Sequence, residues 1–426
     1  MHVLLVPVGS HGDVHPFVGL GLVLKERGHR VTFLIDGYFD ALIRPLGFET
    51  VTLSEPQEFE EALKDPDLWH PKRGLKAVSR RFVEGSRLIY RKIEERYVPG
   101  ETIAVGGSLA FGMRMASEKL GIPAATLHLS PIIFVSVHET PQLGGKTLPK
   151  WVPHWLKRRI FDLTFKRMVN PIIDPPVNVV REEIGLSPIS NIIRDWIHSP
   201  EMVICAFPEW FAKPQPDWPP QAKLVGFPLY DERGVEPISN ELDAFLSSGS
   251  PPIAFTPGSA NVHGRAFFEA AIDACKRLNR RGLLLTRHRG QIPFPLPEGI
   301  RHEPFAPFSL LLPRVAALVH HGGIGTSSQA MMAGIPQLIM TLAHDQFDNA
   351  ARMERLGVAR AILPSRFQGR RVAKLLHELI DSEQVAANCR DIAARFDGLN
   401  AGLERAADLV ESLATNAKAK AVVSTL

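Results

Sequence analysis

Two short stretches carry side chains able to do chemistry. The first is His320-His321-Gly322-Gly323-Ile324-Gly325-Thr326, which follows the apolar run 316–319 and precedes a segment, 326–333, of helical character closed by Gly334 and Pro336. Strand, glycine turn and helix are the expected order. Glycines let a ligand approach the backbone, and the free N–H groups and dipole of a new helix favour an anion, so this is a phosphate seat. A second expected strand, 337–341, returns Ala343-His344-Asp345-Gln346 to the same edge, where the loops of an open parallel sheet hold ligands. An anion site beside a carboxylate and an amide points to a nucleotide sugar, with the sugar hydroxyls on Asp345 and Gln346.

The second stretch is Gly9-Ser10-His11-Gly12-Asp13-Val14-His15-Pro16, between the apolar run 3–8 and a helical pattern over 17–27. A strand at 31–35 follows, so the chain opens as βαβ and begins a doubly wound domain. Asp36 ends that strand where a dinucleotide site would place its ribose carboxylate. The spacing Gly9-x-x-Gly12 is not GxGxxG, which argues against a nicotinamide cofactor.

The first stretch, continued through Ala333-Gly334-Ile335-Pro336-Gln337 and Asp345-Gln346 to Asn349-Ala350, Arg352 and Leu356-Gly357, resembles the donor-binding signature of family 1 glycosyltransferases, the UDP-glycosyltransferase-like enzymes of GT-B fold. The resemblance extends over nearly the whole chain. It implies an α/β architecture of two facing Rossmann-like domains with the active site in the cleft between them. It also implies an inverting transfer in which a base on the first loop removes the acceptor's proton as the hydroxyl attacks the anomeric carbon. Plant members carry His there, whereas this sequence has Asp13, as in bacterial members with G-S-x-G-D-V-x-P. A cap on the following helix is the competing role for Asp13, and His11 and His15 are the alternative bases. The carboxylate that orients the plant His is absent from Val105-Gly106-Gly107-Ser108.

The same resemblance places the diphosphate on Ser259, His321, Gly322, Gly323, Gly325 and Thr326, the base on Phe305, and the ribose near Gln329, where plant enzymes have Glu. That substitution leaves dTDP open beside UDP. No metal and no cofactor other than the donor are expected. Asp65-Pro66-Asp67 matches a DxD pattern but follows no strand and reads as a turn. The segments around 198–231 and 343–350 are most similar to the bacterial rhamnosyltransferases that build rhamnolipids. The implied reaction is transfer of rhamnose or glucose to a hydroxyl of a small hydrophobic or lipid acceptor. A nucleotide-sugar epimerase of the same fold and a non-catalytic sugar-nucleotide-binding subunit are the competing readings.

The chain has 426 residues, enough for about two to three domains. Its composition, 45% hydrophobic and 22% charged, is that of a globular protein, and a net charge of +4 is too small to argue for nucleic acid. Cys205, Cys275 and Cys389 lack metal-ligand spacing and suit buried roles in a reducing compartment. No basic leader precedes the apolar run from Val3, and no run approaches the roughly 18 residues of a membrane span, so a cytoplasmic location is expected. The proline-dense segment 208–231 reads as a rigid connector, dividing an acceptor domain, 1–230, from a donor domain, 231–400. Residues 401–426 read as a helix returning to the first domain, with an unpacked tail after Thr415. One stretch, 143–169, interleaves Lys146, Lys150, Lys157, Arg158, Arg159, Lys166 and Arg167 with Trp151, Trp155, Phe161 and Phe165. It reads either as an interfacial helix resting on anionic lipid at the inner face of the cell membrane or as a solvated helix packed on its own domain.

Overall fold

The computed structural model describes residues 1–69, 73–232, 237–259, 261 and 264–424. Within them lie two wholly parallel sheets. The first has the order β3-β2-β1-β4-β5-β6-β7 and the second β10-β9-β8-β11-β12-β13. The strands are β1 (His2–Val6), β2 (Arg30–Ile35), β3 (Glu49–Thr52), β4 (Thr102–Gly107), β5 (Ala124–His128), β6 (Met202–Cys205) and β7 (Ala222–Leu224), then β8 (Ile253–Thr256), β9 (Gly282–Leu285), β10 (Ile300–Glu303), β11 (Ala317–His320), β12 (Gln337–Met340) and β13 (Ala359–Ile362). Both sheets wind outward from their first strand and then return to its other side. The order therefore reverses between β1 and β4 and again between β8 and β11, and such switch points are where open sheets bind ligands.

Parallel strands covered on both faces must be apolar throughout, and β1 shows why. Val3 and Leu5 face one core with Phe17, Leu20, Leu403 and Val410; Leu4 and Val6 face the other with Ile93, Met113, Ala116 and Val177. The second sheet repeats the arrangement, Phe255 and Val319 packing with Phe268 and Leu376, and Ala254 and Leu318 with Leu242 and Leu311. The three cysteines are free and buried.

Three segments differ from expectation. The first helix spans His11–Glu26, six residues earlier than its apolar pattern begins, because Ser10 and Asp13 close a capping box that outweighs Gly12 and Pro16. The proline connector contains β7, an edge strand, where proline-rich flanks are tolerated. The last helix runs from Ala401 to Ser424, so the stretch after Thr415 is helical rather than irregular, consistent with its Ala and Lys content. That helix packs on the first helix, and Arg27 bonds to Glu404, Asp408 and Glu411 along it. Asp65 accepts from the Asp67 N–H at 2.8 Å and one 3-10 turn, Pro66–Trp69, follows, so this stretch is a turn.

The two sheets are joined by a charge network centred on Arg352. Its guanidinium, 4% exposed, binds Asp348 at 2.7 Å, Glu139 at 3.0 Å and the Phe211 carbonyl at 3.2 Å; Asp348 also accepts from the Gln142 N–H at 3.0 Å. Truncating Arg352 to alanine would strand a buried carboxylate, so we expect a loss of about 3–5 kcal/mol in urea unfolding. A loss within the roughly 0.5 kcal/mol typical of neutral surface changes would show that the network carries no stability.

Candidate active site

The site is assembled from the carboxyl ends of strands at both switch points. After β1 the chain turns through Gly9, whose φ of 136° and position against Asp13 leave no room for a side chain; an added Cβ would lie 2.2 Å from Asp13 Oδ2. Asp13 occupies the first turn of the helix. Its Oδ2 accepts from the Ser10 N–H at 2.8 Å and the Ser10 hydroxyl at 3.2 Å. One carboxylate oxygen thus holds the helix start, and the other accepts no side-chain or backbone hydrogen bond among the described residues. Capping and base catalysis are compatible at this residue. Burial pushes its pKa up to about 6, the Ser10 N–H opposes the rise, and the charge of Asp345 in the other domain adds to it.

His11 and His15 lie on the same helix in different surroundings. His11 stands edge-on to Phe39 at 5.0 Å and Tyr38 at 5.6 Å, and burial pushes its pKa down to about 4, so it is neutral near pH 7. His15 Nε2 lies 3.1 Å from the Glu232 carboxylate, at the start of the second domain. Glu232, 5% exposed, also faces Arg287 at 3.7 Å. The ends of β4 and β5 carry a further chain: Ser108 Oγ lies 2.8 Å from His128 Nδ1, whose Nε2 lies 2.9 Å from His198 Nδ1.

On the opposite wall, pairing of β8 with β11 sets Thr256 beside His320 and so brings Gly258 against His321. The His321 ring is wedged between two glycines; a Cβ would come within 2.7 Å of it from Gly258 and 2.6 Å from Gly323. Its Nδ1 is buried without a partner among the described residues, and burial pushes its pKa down to about 4. His320 has a different role: its Nδ1 accepts from the Gly322 N–H and its Nε2 bonds Gln337 at 3.0 Å, fixing the glycine turn.

The helix Ile324–Met332 starts at Gly323, so the N–H groups of Ile324, Gly325 and Thr326 have no acceptor within it. Ser327 and Ser328 spend their hydroxyls on the carbonyls of Gly323 and Gly325. No hydrogen bond engages the Thr326 hydroxyl among the described residues. Gln329 lies one turn further along, half-buried, and Ser259 is exposed just beyond β8. Phe305 is half-buried with the Arg287 guanidinium 4.6 Å above its ring, so one face of the expected base-stacking ring is already covered.

After β12 the left-handed His344 (φ 57°) turns the chain into Asp345. Asp345 Oδ2 accepts from the Ser130 hydroxyl of the first domain at 2.6 Å and from Asn349 Nδ2 at 2.8 Å; Asn349 also reaches the Gly322 carbonyl at 3.1 Å. The expected sugar-binding carboxylate is thus tied to both walls. Gln346, 3% exposed, uses its Oε1 to hold the N–H groups of Leu342 and Ala343 at 2.7 and 3.1 Å, so its carbonyl oxygen is committed to its own loop.

Sequence reasoning missed Ser130, Asn349, Glu232 and Arg287. Asn349 lies within the quoted signature, four residues after Asp345 and on its helix face. The other three have no motif. No group of three or more His, Cys, Asp or Glu arranged to hold a metal occurs among the described residues.

The model of the erythromycin biosynthesis protein CIII-like C-terminal domain matches residues 283–411, which include Phe305, the glycine turn and the Asp345 loop. The curated O-mycaminosyltylonolide 6-deoxyallosyltransferase of Streptomyces fradiae is 29% identical over 97% of this chain and 98% of its own. The solved glycosyltransferase of kitacinnamycin superposes with a TM-score of 0.72 at 20% identity, covering 97% of this chain and 98% of that one. The chain is a glycosyltransferase of GT-B fold. A further solved relative of this glycosyltransferase, the spinosyn rhamnosyltransferase SpnG complexed with thymidine diphosphate, has a TM-score of 0.66 at 18% identity, over 97% of this chain and all of that one.

Proposed function

We propose that this glycosyltransferase moves a deoxyhexose, rhamnose first among them, from a dTDP carrier to a hydroxyl of a small hydrophobic or lipid acceptor, by a single displacement that inverts the anomeric carbon. The observation that carries the reading is the juxtaposition across the cleft of Asp13, with one carboxylate oxygen free of Ser10, and the wall formed by Asp345, His321 and the glycine turn. Asp13 takes the acceptor proton. Asp345 and the Nε2 of Gln346 hold sugar hydroxyls. The neutral His321, donating one N–H, and the free N–H groups at Gly325 and Thr326 meet the charge that develops on the departing diphosphate.

Near Asp13, Tyr38 stacks on the buried Phe59 at 4.7 Å with the buried Phe39 beside them; Tyr38 and His11, both half-buried, are the rings of this cluster that an apolar acceptor would meet. The dTDP donor is supported by the thymidine diphosphate named for SpnG, by the resemblance to rhamnolipid rhamnosyltransferases, and by Gln329 in place of a ribose-binding carboxylate. Calorimetric titration with dTDP and with UDP tests it: tighter dTDP binding is expected, and tighter UDP binding would replace the deoxysugar donor with UDP-glucose.

The acid limb of the reaction is a second expectation. The base must be ionised, and its pKa lies near 6, so kcat/KM should fall as pH drops through that value and level off above it. A pH profile flat across this region would remove Asp13 from proton transfer.

A further inference from the structure

The helix His154–Thr164 and the π-turn Phe165–Val169 that prolongs it have two faces of opposite character. Lys157, Phe161 and Phe165, at i, i+4 and i+8, are 2%, 4% and 5% exposed and fasten the segment to the first domain; the Lys157 amine reaches the Val137 carbonyl at 3.3 Å. Opposite them the i+4 row Trp155, Arg159, Leu163 and Arg167 faces outward. Trp155 is 68% exposed, Leu163 49% and Met168 64%, and Trp151, just before the helix, is 82% exposed. Tryptophan is usually well buried, so two so open on one face mark an unfilled contact.

The charges around them have one sign. Lys150, Arg158, Arg159, Lys166 and Arg167 are exposed, and no hydrogen bond or ion pair engages them among the described residues. The single acid on the segment, Asp162, is neutralised by Arg194. Amphipathic indole rings with a belt of unpaired cations suit the interface of a bilayer whose headgroups are negative. No described helix is long and apolar enough to cross a membrane.

We propose that this face docks the enzyme on an anionic lipid surface. The loop that leads into it begins at Ser130, which touches Asp345, and passes through Glu139, which binds Arg352. A docked helix would therefore hold the acceptor side of the cleft near the headgroups, where an amphiphilic acceptor resides. That purpose rests on the acceptor reading above, whereas the docking itself is measured without turnover, so the two can fail separately.

The test is sedimentation of the full chain with vesicles of phosphatidylcholine alone and of phosphatidylcholine mixed with phosphatidylglycerol. Binding to the mixed vesicles only is expected, weakening with added salt. Tryptophan emission should be quenched by brominated acyl chains. Trp151→Ala with Trp155→Ala should abolish the quenching, and replacing Arg158, Arg159, Lys166 and Arg167 by Gln should weaken binding by about 10-fold or more. All these substitutions lie on the exposed face, and unchanged circular dichroism would confirm intact folding. Failure to sediment with the mixed vesicles, or sedimentation unaltered in both variants, would overturn the proposal. So would light scattering that shows a dimer which Trp155→Ala dissociates, since a second copy would then occupy the face.

Discussion

Asp13→Asn is expected to lower kcat by about 10²–10⁴-fold, the usual contribution of a positioned general base. Affinity for dTDP should stay within about twofold of the native value, because the nearest phosphate-binding groups belong to the other domain. Asparagine keeps the shape of the side chain and can still accept from the Ser10 N–H through its carbonyl oxygen, so the helix start survives. What it loses is the basic oxygen. The result separates two roles that coincide at this residue. Parallel loss of turnover, nucleotide binding and stability would reduce Asp13 to a structural cap. Retained turnover would move the base to His15, whose pairing with Glu232 could orient it, or to His11.

His321→Ala is expected to act in the opposite half of the reaction. The ring is enclosed by Gly258 and Gly323, is neutral near pH 7, and has a buried Nδ1 with no partner among the described residues. Such a group is costly unless a ligand satisfies it, and the diphosphate is the ligand proposed for this turn. Removing it should weaken dTDP binding about 10-fold and lower kcat by about 10²–10³-fold, comparable to loss of one transition-state donor elsewhere. The ratio matters. A fall in kcat larger than the fall in affinity shows that the imidazole meets charge that grows as the sugar leaves. Unchanged dTDP affinity together with unchanged kcat would take His321 out of the phosphate site.

The strand, glycine turn and helix from Ala317 to Met332 were legible in the sequence because they are contiguous. Strand, glycine turn and helix follow one another over a short run, and local geometry decides where their N–H groups point. The βαβ opening was equally plain from Val3 to Ile35. The start of the first helix was not, since Gly12 and Pro16 read as a loop, and the capping box that Ser10 and Asp13 close shows only in the folded chain, where Val14 and Phe17 are also buried. Strands β3 and β7 escaped notice because each is short and mostly uncovered; in β3 only Val51 is buried. The partners that brace the site were beyond reach for a different reason. Ser130 lies 215 positions from Asp345, and His15 lies 217 from Glu232, so no spacing rule relates them. Gln346 shows the limit of a motif even when it is found. The pattern names the residue, but the structure commits its Oε1 to the backbone of its own loop.

The most direct test is to incubate the enzyme with a dTDP-deoxyhexose of known anomeric configuration and a hydroxylated hydrophobic acceptor, and to read the product by NMR. A glycoside of opposite anomeric configuration and release of dTDP are expected, both lost in Asp13→Asn. A glycoside with retained configuration would contradict the single displacement. An epimerised sugar nucleotide with no glycoside would contradict transfer itself.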